Sequence, residues 1–154
     1  MDVSELDARL GDARRVYVDT STCIAYHSSN EHAHVLARHL FSRIADDTDP
    51  LNGYMSVVSA SEMLVRPLRY VDHHLRLVTE FLQAFPNLHL IDTDFTIAHQ
   101  AANIRVTTRL ALPDSLILGT ALLTGCEAIV TNDERWVRRI APLYREFTWI
   151  YLGQ

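Results

Sequence analysis

Val16-Tyr17-Val18-Asp19-Thr20-Ser21 places three apolar residues directly before an aspartate. The apolar run predicts one short buried strand, and the polar residues behind it predict the start of a helix. A carboxylate at the end of a buried strand is unfavourable unless a partner compensates it, and no lysine or arginine stands next to Asp19. The stretch therefore predicts that Asp19 depends on groups from elsewhere in the chain or on a bound cation.

Three further carboxylates stand in similar positions, just behind a predicted strand or in the first turns of a predicted helix. They occur in the stretches Ser59-Ala60-Ser61-Glu62, Leu112-Pro113-Asp114-Ser115 and Val130-Thr131-Asn132-Asp133. Sites in parallel α/β sheets form beyond the carboxyl ends of the strands, so one rim of a sheet can hold all of these acids. The sequence predicts that Asp19, Glu62, Asp114 and Asp133 converge on one divalent metal site.

The rest of the pattern predicts strands that are separated by one or two helices. The predicted strands span residues 16–19, 54–58, 88–91, 128–131 and 147–152. The predicted helices span residues 23–27, 31–46, 59–67, 71–85, 94–109, 114–124 and 134–140. This alternation predicts a three-layer α/β/α sandwich with a central, mainly parallel sheet. We also expect Thr20, Ser21 and Thr22 to cap the first of these helices, Ser59 to cap the helix that carries Glu62, and Pro67 to end it.

Length and composition are those of one globular domain. The chain has 154 residues, of which 48% are hydrophobic and 21% charged. We expect a short helix or loose arm over residues 1–15 and a single domain over residues 16–154. No apolar run is long enough for a membrane helix, and the N-terminus does not have the pattern of a signal peptide, so we expect a cytoplasmic protein. Cys23 and Cys126 are expected to be buried free thiols.

The charge of the chain limits its chemistry and its partners. All 14 of the Lys and Arg residues are arginine, and the net charge is −5. The lack of lysine excludes Schiff-base chemistry and a phosphate-binding lysine. The negative charge does not by itself favour nucleic acid as a partner, so any such partner has to be met by local arginines or by bound metal.

Four carboxylates on one rim repel one another. Two of them about 4 Å apart cost roughly 4 kcal/mol at an effective dielectric near 20. Oxygen donors without patterned Cys or His favour a hard cation, Mg²⁺ or Mn²⁺, which binds phosphate oxygens and activates water. We expect Ser21, Thr131 and Asn132 to orient the ligands or the metal-bound waters.

Simpler interpretations remain open for each residue. Any one of the four acids, taken alone, is also explained as a helix cap or a solvated loop residue. Of the eight histidines, the pairs His32/His34 and His73/His74 are interpreted as surface residues, and His27 and His99 could lie near the site. Arg66 and Arg69 follow Glu62 closely and are candidates for contact with a phosphate backbone. The remaining cluster is interpreted as a solvated face, namely Arg135, Arg138 and Arg139.

The ordered motifs resemble a known family. They are Val-Asp-Thr-Ser at 18–21, Ser-Ala-Ser-Glu-Met at 59–63, Leu-Pro-Asp-Ser-Leu-Ile at 112–117 and Ile-Val-Thr-Asn-Asp at 129–133. The set resembles the PIN domain, and it is most similar to the VapC-type ribonuclease toxins of bacterial type II toxin–antitoxin pairs. The resemblance covers about residues 16–152.

That resemblance implies a function and a set of site residues. Asp19, Glu62, Asp114 and Asp133 would be catalytic and metal-binding, with Asp19 and Asp114 as the principal ligands. The implied activity is Mg²⁺- or Mn²⁺-dependent cleavage of RNA phosphodiester bonds by an endoribonuclease toxin. The implied partners are an RNA substrate, a second copy of the chain in a homodimer, and a small antitoxin that covers the active site.

Two other classes of function stay in view. One is a PIN-like module that binds RNA or protein without cleaving. The other is a phosphatase of the haloacid dehalogenase type, which also begins with an aspartate at a strand end. That chemistry needs a second aspartate where this chain has Ser21, and a lysine, which the chain lacks. A receiver domain is disfavoured because it needs the same missing lysine.

Overall fold

A computed structural model describes residues 1–29, 32–70 and 74–153. Its strands form one sheet in the order β3-β2-β1-β4-β5, and each neighbouring pair is parallel. They are β1 Arg15–Val18, β2 Asn52–Ser56, β3 Leu88–Ile91, β4 Ala128–Thr131 and β5 Thr148–Tyr151. The expected mainly parallel sheet is confirmed, and within the described residues it is parallel throughout.

Helices cover both faces of this sheet. They are α1 Val3–Leu10, α2 Thr20–His27, α3 His34–Ile44, α4 Val57–Tyr70, α5 His74–Ala84, α6 Phe95–Thr108, α7 Leu112–Leu123 and α8 Glu134–Ile140. Helices α1 to α5 contribute to one hydrophobic core, and α6 to α8 contribute to a second. The predicted three-layer sandwich is therefore confirmed.

Strand β1 lies in the middle of the sheet and is buried on both sides. Val16 and Val18 point into the first core and Tyr17 into the second, because successive side chains alternate between the faces. A strand with two buried faces needs an unbroken apolar run, which is what residues 16–18 provide. This central position carries the following residue, Asp19, to the middle of the sheet rim.

Asp19 also lies where the direction of the chain through the sheet changes. From β1 the chain proceeds to β2 and β3 on one side, and it later crosses to β4 and β5 on the other. The backbone N–H of Asp19 donates to the carbonyl of Val130 at 3.0 Å, which extends the pairing of β1 and β4 by one residue. Such a switch point leaves a crevice at the carboxyl ends of the two strands, where ligands bind in open α/β sheets.

The details of two helix ends differ from expectation. Helix α2 begins at Thr20, and Asp19 is its N-cap, so the Thr20–Thr22 stretch lies inside the helix. Helix α4 begins at Val57, before Ser59, and the Ser56 hydroxyl accepts the N–H of Val58 at 3.2 Å. The expected caps were therefore wrong, because the preceding side chain takes the capping role in each case.

The expected end of α4 at Pro67 was also wrong. The helix continues through Pro67 to Tyr70. Proline removes one backbone hydrogen bond from a helix, but Ala60 and Met63 anchor this one in the first core and tertiary packing outweighs the local cost. The expected start of the next helix at residue 71 lies outside the described residues, and α5, described from His74, buries Val78 and Leu82. The expected start of the 31–46 helix at Glu31 also lies outside them, and α3 is described from His34.

The N-terminal residues form the short helix α1. The carboxylate of Asp2 accepts the N–H of Glu5 at 2.8 Å and caps it. Leu6 and Leu10 are buried in the same core as the central strands. The division of the chain into an arm at 1–15 and a domain at 16–154 stays a prediction, although the first of the two expected forms of the arm, a helix, is the one present.

Two further expectations concern the cysteines and the membrane. Cys23 and Cys126 are both free and buried, as expected. Among the described residues, no single helix is long and apolar enough to cross a membrane. Helices α6 and α7 meet that length and composition only as a pair, and they are bent by 118° where they join.

Candidate active site

Asp19 is held at the end of β1 by a set of short hydrogen bonds. Its Oδ2 accepts the backbone N–H of Ser21 at 3.3 Å, the hydroxyl of Ser21 at 2.6 Å and the hydroxyl of Thr131 at 2.8 Å. The residue is only 9% exposed. Its carboxylate is therefore fixed in one orientation at the rim.

The two hydroxyls are themselves oriented by the backbone that follows β4. The Ser21 hydroxyl oxygen accepts the N–H of Asn132 at 2.8 Å, and that of Thr131 accepts the N–H of Asp133 at 3.0 Å. Each hydroxyl has a single hydrogen, so a donor behind it directs that hydrogen forward to Asp19. Ser21 and Thr131 were both singled out from the sequence, and Asn132 contributes here through its backbone.

Burial dominates the electrostatics of Asp19. Removal from water raises the pKa of the Asp19 carboxyl above its ordinary value, and the hydrogen bonds from Ser21 and Thr131 oppose that rise. An ionised carboxylate at this position therefore lowers the stability of the folded protein. A buried acid without a basic partner is typical of functional sites.

Glu62 lies in the second turn of α4 and reaches the same rim. The hydroxyl of Thr20 donates to Glu62 Oε2 at 2.8 Å. Partial burial raises the pKa of the Glu62 carboxyl, the Thr20 hydrogen bond opposes this, and the charges of Asp19 and Asp114 add to the rise. Two consecutive residues at the start of α2, Thr20 and Ser21, therefore hold two different acids.

Asp114 lies in the first turn of α7 and is half-buried. Burial raises the pKa of its carboxyl, the positive charge of Arg139 opposes the rise, and the negative charges of Asp19 and Asp133 add to it. The pKa of Asp114 is therefore affected by acids from two other segments of the chain and by an arginine of α8.

Asp133 serves as the N-cap of α8. Its Oδ1 accepts the backbone N–H groups of Arg135 at 2.8 Å and Trp136 at 3.3 Å. The residue is exposed, and its charge acts on Asp114. The helix-cap interpretation is correct for Asp133 and also for Asp19, and in neither case does it exclude a second role, because each carboxylate has more lone pairs than the cap uses.

The acids form one electrostatic group. Asp19, Glu62 and Asp114 act on one another, and Asp133 joins through Asp114. In the described part of the chain, however, no three Asp, Glu, His or Cys side chains are close enough to enclose a metal ion. Mg²⁺ usually takes one or two protein carboxylates and completes its shell with water and substrate phosphate. The donors therefore suit that ion in type and charge, while convergence of all four acids on one metal stays a prediction.

The other candidates from the sequence lie at the edges of this group or outside it. Arg66 and Arg69 are exposed on α4, four and seven residues after Glu62, and so lie on its side of that helix. His27 packs edge-on against Phe81, with ring centroids 4.7 Å apart, and His99 is exposed on α6. The described contacts of these histidines do not join them to the acids.

Two residues of the rim were missed at the level of sequence. Thr20 was interpreted as a helix cap only, and Arg139 as part of a solvated face. The sequence does contain a signal for Thr20, because it adjoins Asp19 and its hydroxyl can turn to the same rim. It contains none for Arg139, whose relation to Asp114 arises only when α7 and α8 pack on the same face of the sheet.

Comparisons with known proteins place this geometry in context. The family model described as PIN domain matches residues 16–141. The chain matches none of the curated proteins with which it was compared.

Several solved structures share the fold. A toxin–antitoxin complex from Klebsiella pneumoniae contains a chain 20% identical to this one, with a TM-score of 0.63, over 89% of this chain and 97% of that chain. VapC20 of Mycobacterium tuberculosis, a Sarcin-Ricin loop cleaving toxin, is 15% identical, with a TM-score of 0.63, over 80% and 93%. DNA-bound VapBC from Salmonella typhimurium is 19% identical, with a TM-score of 0.64, over 90% and 98%.

Proposed function

The chain belongs to the PIN domain family, and from that premise we propose that it is a metal-dependent endoribonuclease, the toxin component of a toxin–antitoxin pair. The observation that carries the proposal is the buried Asp19 carboxylate, fixed at the switch point of the sheet and within electrostatic reach of Glu62 and Asp114. Excess negative charge at a crevice is what a hard cation relieves.

The acids would act as metal ligands, with Asp19 and Asp114 as the principal ones and Glu62 and Asp133 in support. A bound Mg²⁺ or Mn²⁺ supplies Lewis-acid stabilisation of phosphate charge and lowers the pKa of water. The residues of the chain supply orientation. Ser21 and Thr131 hold the Asp19 carboxylate, and Thr20 holds Glu62.

Orientation matters because phosphodiester hydrolysis needs the attacking oxygen and the leaving oxygen in line. A carboxylate fixed by three hydrogen bonds loses little entropy when it takes up a ligand, so the site is organised before substrate arrives. Arg66 and Arg69, on the Glu62 side of α4, would contact backbone phosphates of the RNA.

The neighbours support the proposed partners. Two of the structures with the same fold are toxin–antitoxin complexes, and a third is a Sarcin-Ricin loop cleaving toxin. On that basis we expect an RNA substrate and a small antitoxin that covers the acidic rim. The homodimer and the cytoplasmic location stay predictions from the sequence.

Cleavage of RNA by the purified protein tests the proposal. With Mn²⁺ or Mg²⁺ we expect fragments from total cellular RNA, and none after Asp19→Asn. Asp12→Asn is the matched control, because Asp12 is an exposed aspartate at the opposite end of β1. The proposal fails if the folded wild-type protein leaves every RNA intact and behaves like Asp19→Asn.

One observation favours a second function, a module that binds RNA or protein without cleaving it. No three candidate ligands in the described residues enclose a metal ion. Calorimetric titration with Mn²⁺ separates the two functions, because the nuclease binds the ion at the acidic rim and the module does not. Metal binding that disappears with Asp19→Asn supports the nuclease.

A further inference from the structure

Two arginines of α8, Arg138 and Arg139, differ in what surrounds them. Trp136 and Ile140 are buried and fix the inner side of the helix. At 100° per residue, Arg138 lies about 180° from that side and Arg139 about 80° from it. Arg138 is exposed and forms an ion pair with Glu134 one turn earlier. Arg139 instead borders the buried side of α8.

Arg139 acts on an acid through its charge and forms no ion pair within the described residues. Its positive charge acts on Asp114 of α7. Across residues 1–29, 32–70 and 74–153, no carboxylate lies within ion-pairing distance of its guanidinium. The side chain is exposed. A guanidinium in this situation keeps its planar set of donors available for an incoming oxyanion.

A polyanionic substrate needs such a cation here. The chain carries a net charge of −5, and its acidic residues include the four rim carboxylates, which repel phosphate. We infer that Arg139 is a substrate-positioning residue that binds a backbone phosphate of RNA as the strand enters the acidic rim beside Asp114. The inference rests on the proposed nuclease function and adds a residue that the family motifs do not include.

The sheet topology indicates where along the bound RNA this contact would lie. Helix α4 follows β2 and α8 follows β4, and these strands lie on either side of β1. The helix that carries Arg66 and Arg69 and the helix that carries Arg139 therefore follow strands on opposite sides of β1. An RNA backbone that crosses the acids from one helix to the other would meet a guanidinium at each end.

Binding of labelled, mixed-sequence, single-stranded RNA tests the inference. The parent protein is the Asp19→Asn variant, so that cleavage does not consume the probe, and anisotropy is measured across a range of NaCl at constant Mg²⁺. We expect Arg139→Gln to weaken binding about five- to tenfold and to reduce the slope of log K against log salt by about 0.7, the value for one lost contact to a single strand. Arg138→Gln, one residue away and paired with Glu134, should change neither.

The other outcomes separate this inference from the proposed function. If the wild-type protein cleaves no RNA and the parent binds none, the nuclease proposal fails, and the inference fails with it. If the parent binds RNA and Arg139→Gln binds it with the same affinity and the same salt slope as the parent, the inference alone is overturned. Equal losses of RNA affinity in Arg138→Gln and Arg139→Gln also overturn the inference, because they indicate that positive charge on α8 attracts RNA without a specific contact to Arg139. Arg139→Gln is also made in the otherwise wild-type protein. If excess Mn²⁺ restores the RNA cleavage that this variant loses, Arg139 acts on the metal ligands and not on RNA, and the inference is overturned.

Discussion

Carboxylates occur in two contrasting settings at the two ends of the sheet. At the amino end, Asp49 is paired with Arg43, whose Nε lies 2.7 Å from Asp49 Oδ2, and that bond holds the pKa of Asp49 below its usual value. Asp7 of α1 is partly buried, which raises its pKa, but hydrogen bonds from His39 and Arg43 outweigh this and lower it. These acids lock α1, α3 and the turn before β2 together.

At the carboxyl end the shifts have the opposite sign. Burial raises the pKa values of Asp19, Glu62 and Asp114, and their mutual repulsion adds to the rise for Glu62 and Asp114. The same functional group thus stabilises the fold at one end of the sheet and strains it at the other. The paired acids are explained by stability, whereas the rim acids are not, and the proposed metal site accounts for them.

The largest effect should come from neutralising a rim acid. Asp114→Asn is expected to lower RNA cleavage by more than about 100-fold, since it removes one of the two proposed principal ligands, whereas loss of a supporting group near a metal costs about 10- to 100-fold. Its free energy of unfolding at neutral pH should stay the same or rise, because a partly buried charge is removed. Cleavage assays and urea unfolding on the same preparation measure both. A large loss of stability would mean that Asp114 is a structural acid like Asp49.

Removing an orienting hydroxyl should have a smaller effect on cleavage. Thr131→Ala leaves Asp19 with fewer donors and is expected to lower activity about 10- to 100-fold. Thr131→Ser keeps the hydroxyl and should restore most of that activity. Single-turnover rates at saturating Mn²⁺ measure the effect, and equal rates for Thr131→Ala and Thr131→Ser would show that the hydroxyl does not matter.

Neutralising a paired acid should have the reverse signature. Asp49→Asn breaks the ion pair between Asp49 and Arg43. The side chain of Asp49 is 18% exposed and that of Arg43 is 21% exposed. We expect it to lower the free energy of unfolding by about 1–2 kcal/mol and to leave the cleavage rate of the folded protein unchanged. Urea unfolding at neutral pH measures the first effect. A matched drop in cleavage at temperatures well below unfolding would contradict the separation of the two ends.

The smallest effects should appear in the pH dependence of stability. The raised pKa of Asp19 means that the folded state holds its proton longer than the unfolded state, so this acid costs stability as pH rises through its folded pKa, from about pH 4 upward. The lowered pKa of Asp49 contributes stability above its unfolded value near 4, which is lost as pH falls through the folded pKa. In urea unfolding measured across pH, Asp19→Asn should therefore lose the fall in stability that accompanies rising pH above about 4. Asp49→Asn should lose the fall in stability that accompanies falling pH below about 4. Identical pH profiles in both variants would remove the contrast.

The sequence was sufficient for the features that depend on local pattern. The apolar run at residues 16–18 had to be a strand buried on both faces, and an acid directly after it had to reach the rim. The order of strands and helices then determined a parallel sheet, because each crossover is long enough to hold a helix. Asp19, Ser21 and Thr131 could be identified in this way.

Features that depend on packing between distant elements could not be predicted. The Ser59 to Glu62 spacing is typical of a helix start, yet Glu62 accepts its hydrogen bond from Thr20, 42 residues away. Pro67 continues a helix because core contacts of α4 outweigh the lost bond. Arg139 is 25 residues from Asp114 along the chain, and no periodicity links the two. In each case a tertiary contact overrode or supplemented the local signal.

Calorimetric titration with Mn²⁺ tests the central claim most directly. The wild-type protein and Asp49→Asn should bind the ion with the same affinity and stoichiometry, and Asp19→Asn should lose that binding while remaining folded. Metal binding that is equal in Asp19→Asn and the wild type, or absent from the folded wild-type protein, would contradict the claim that the strained acids at the carboxyl end of the sheet form a metal site.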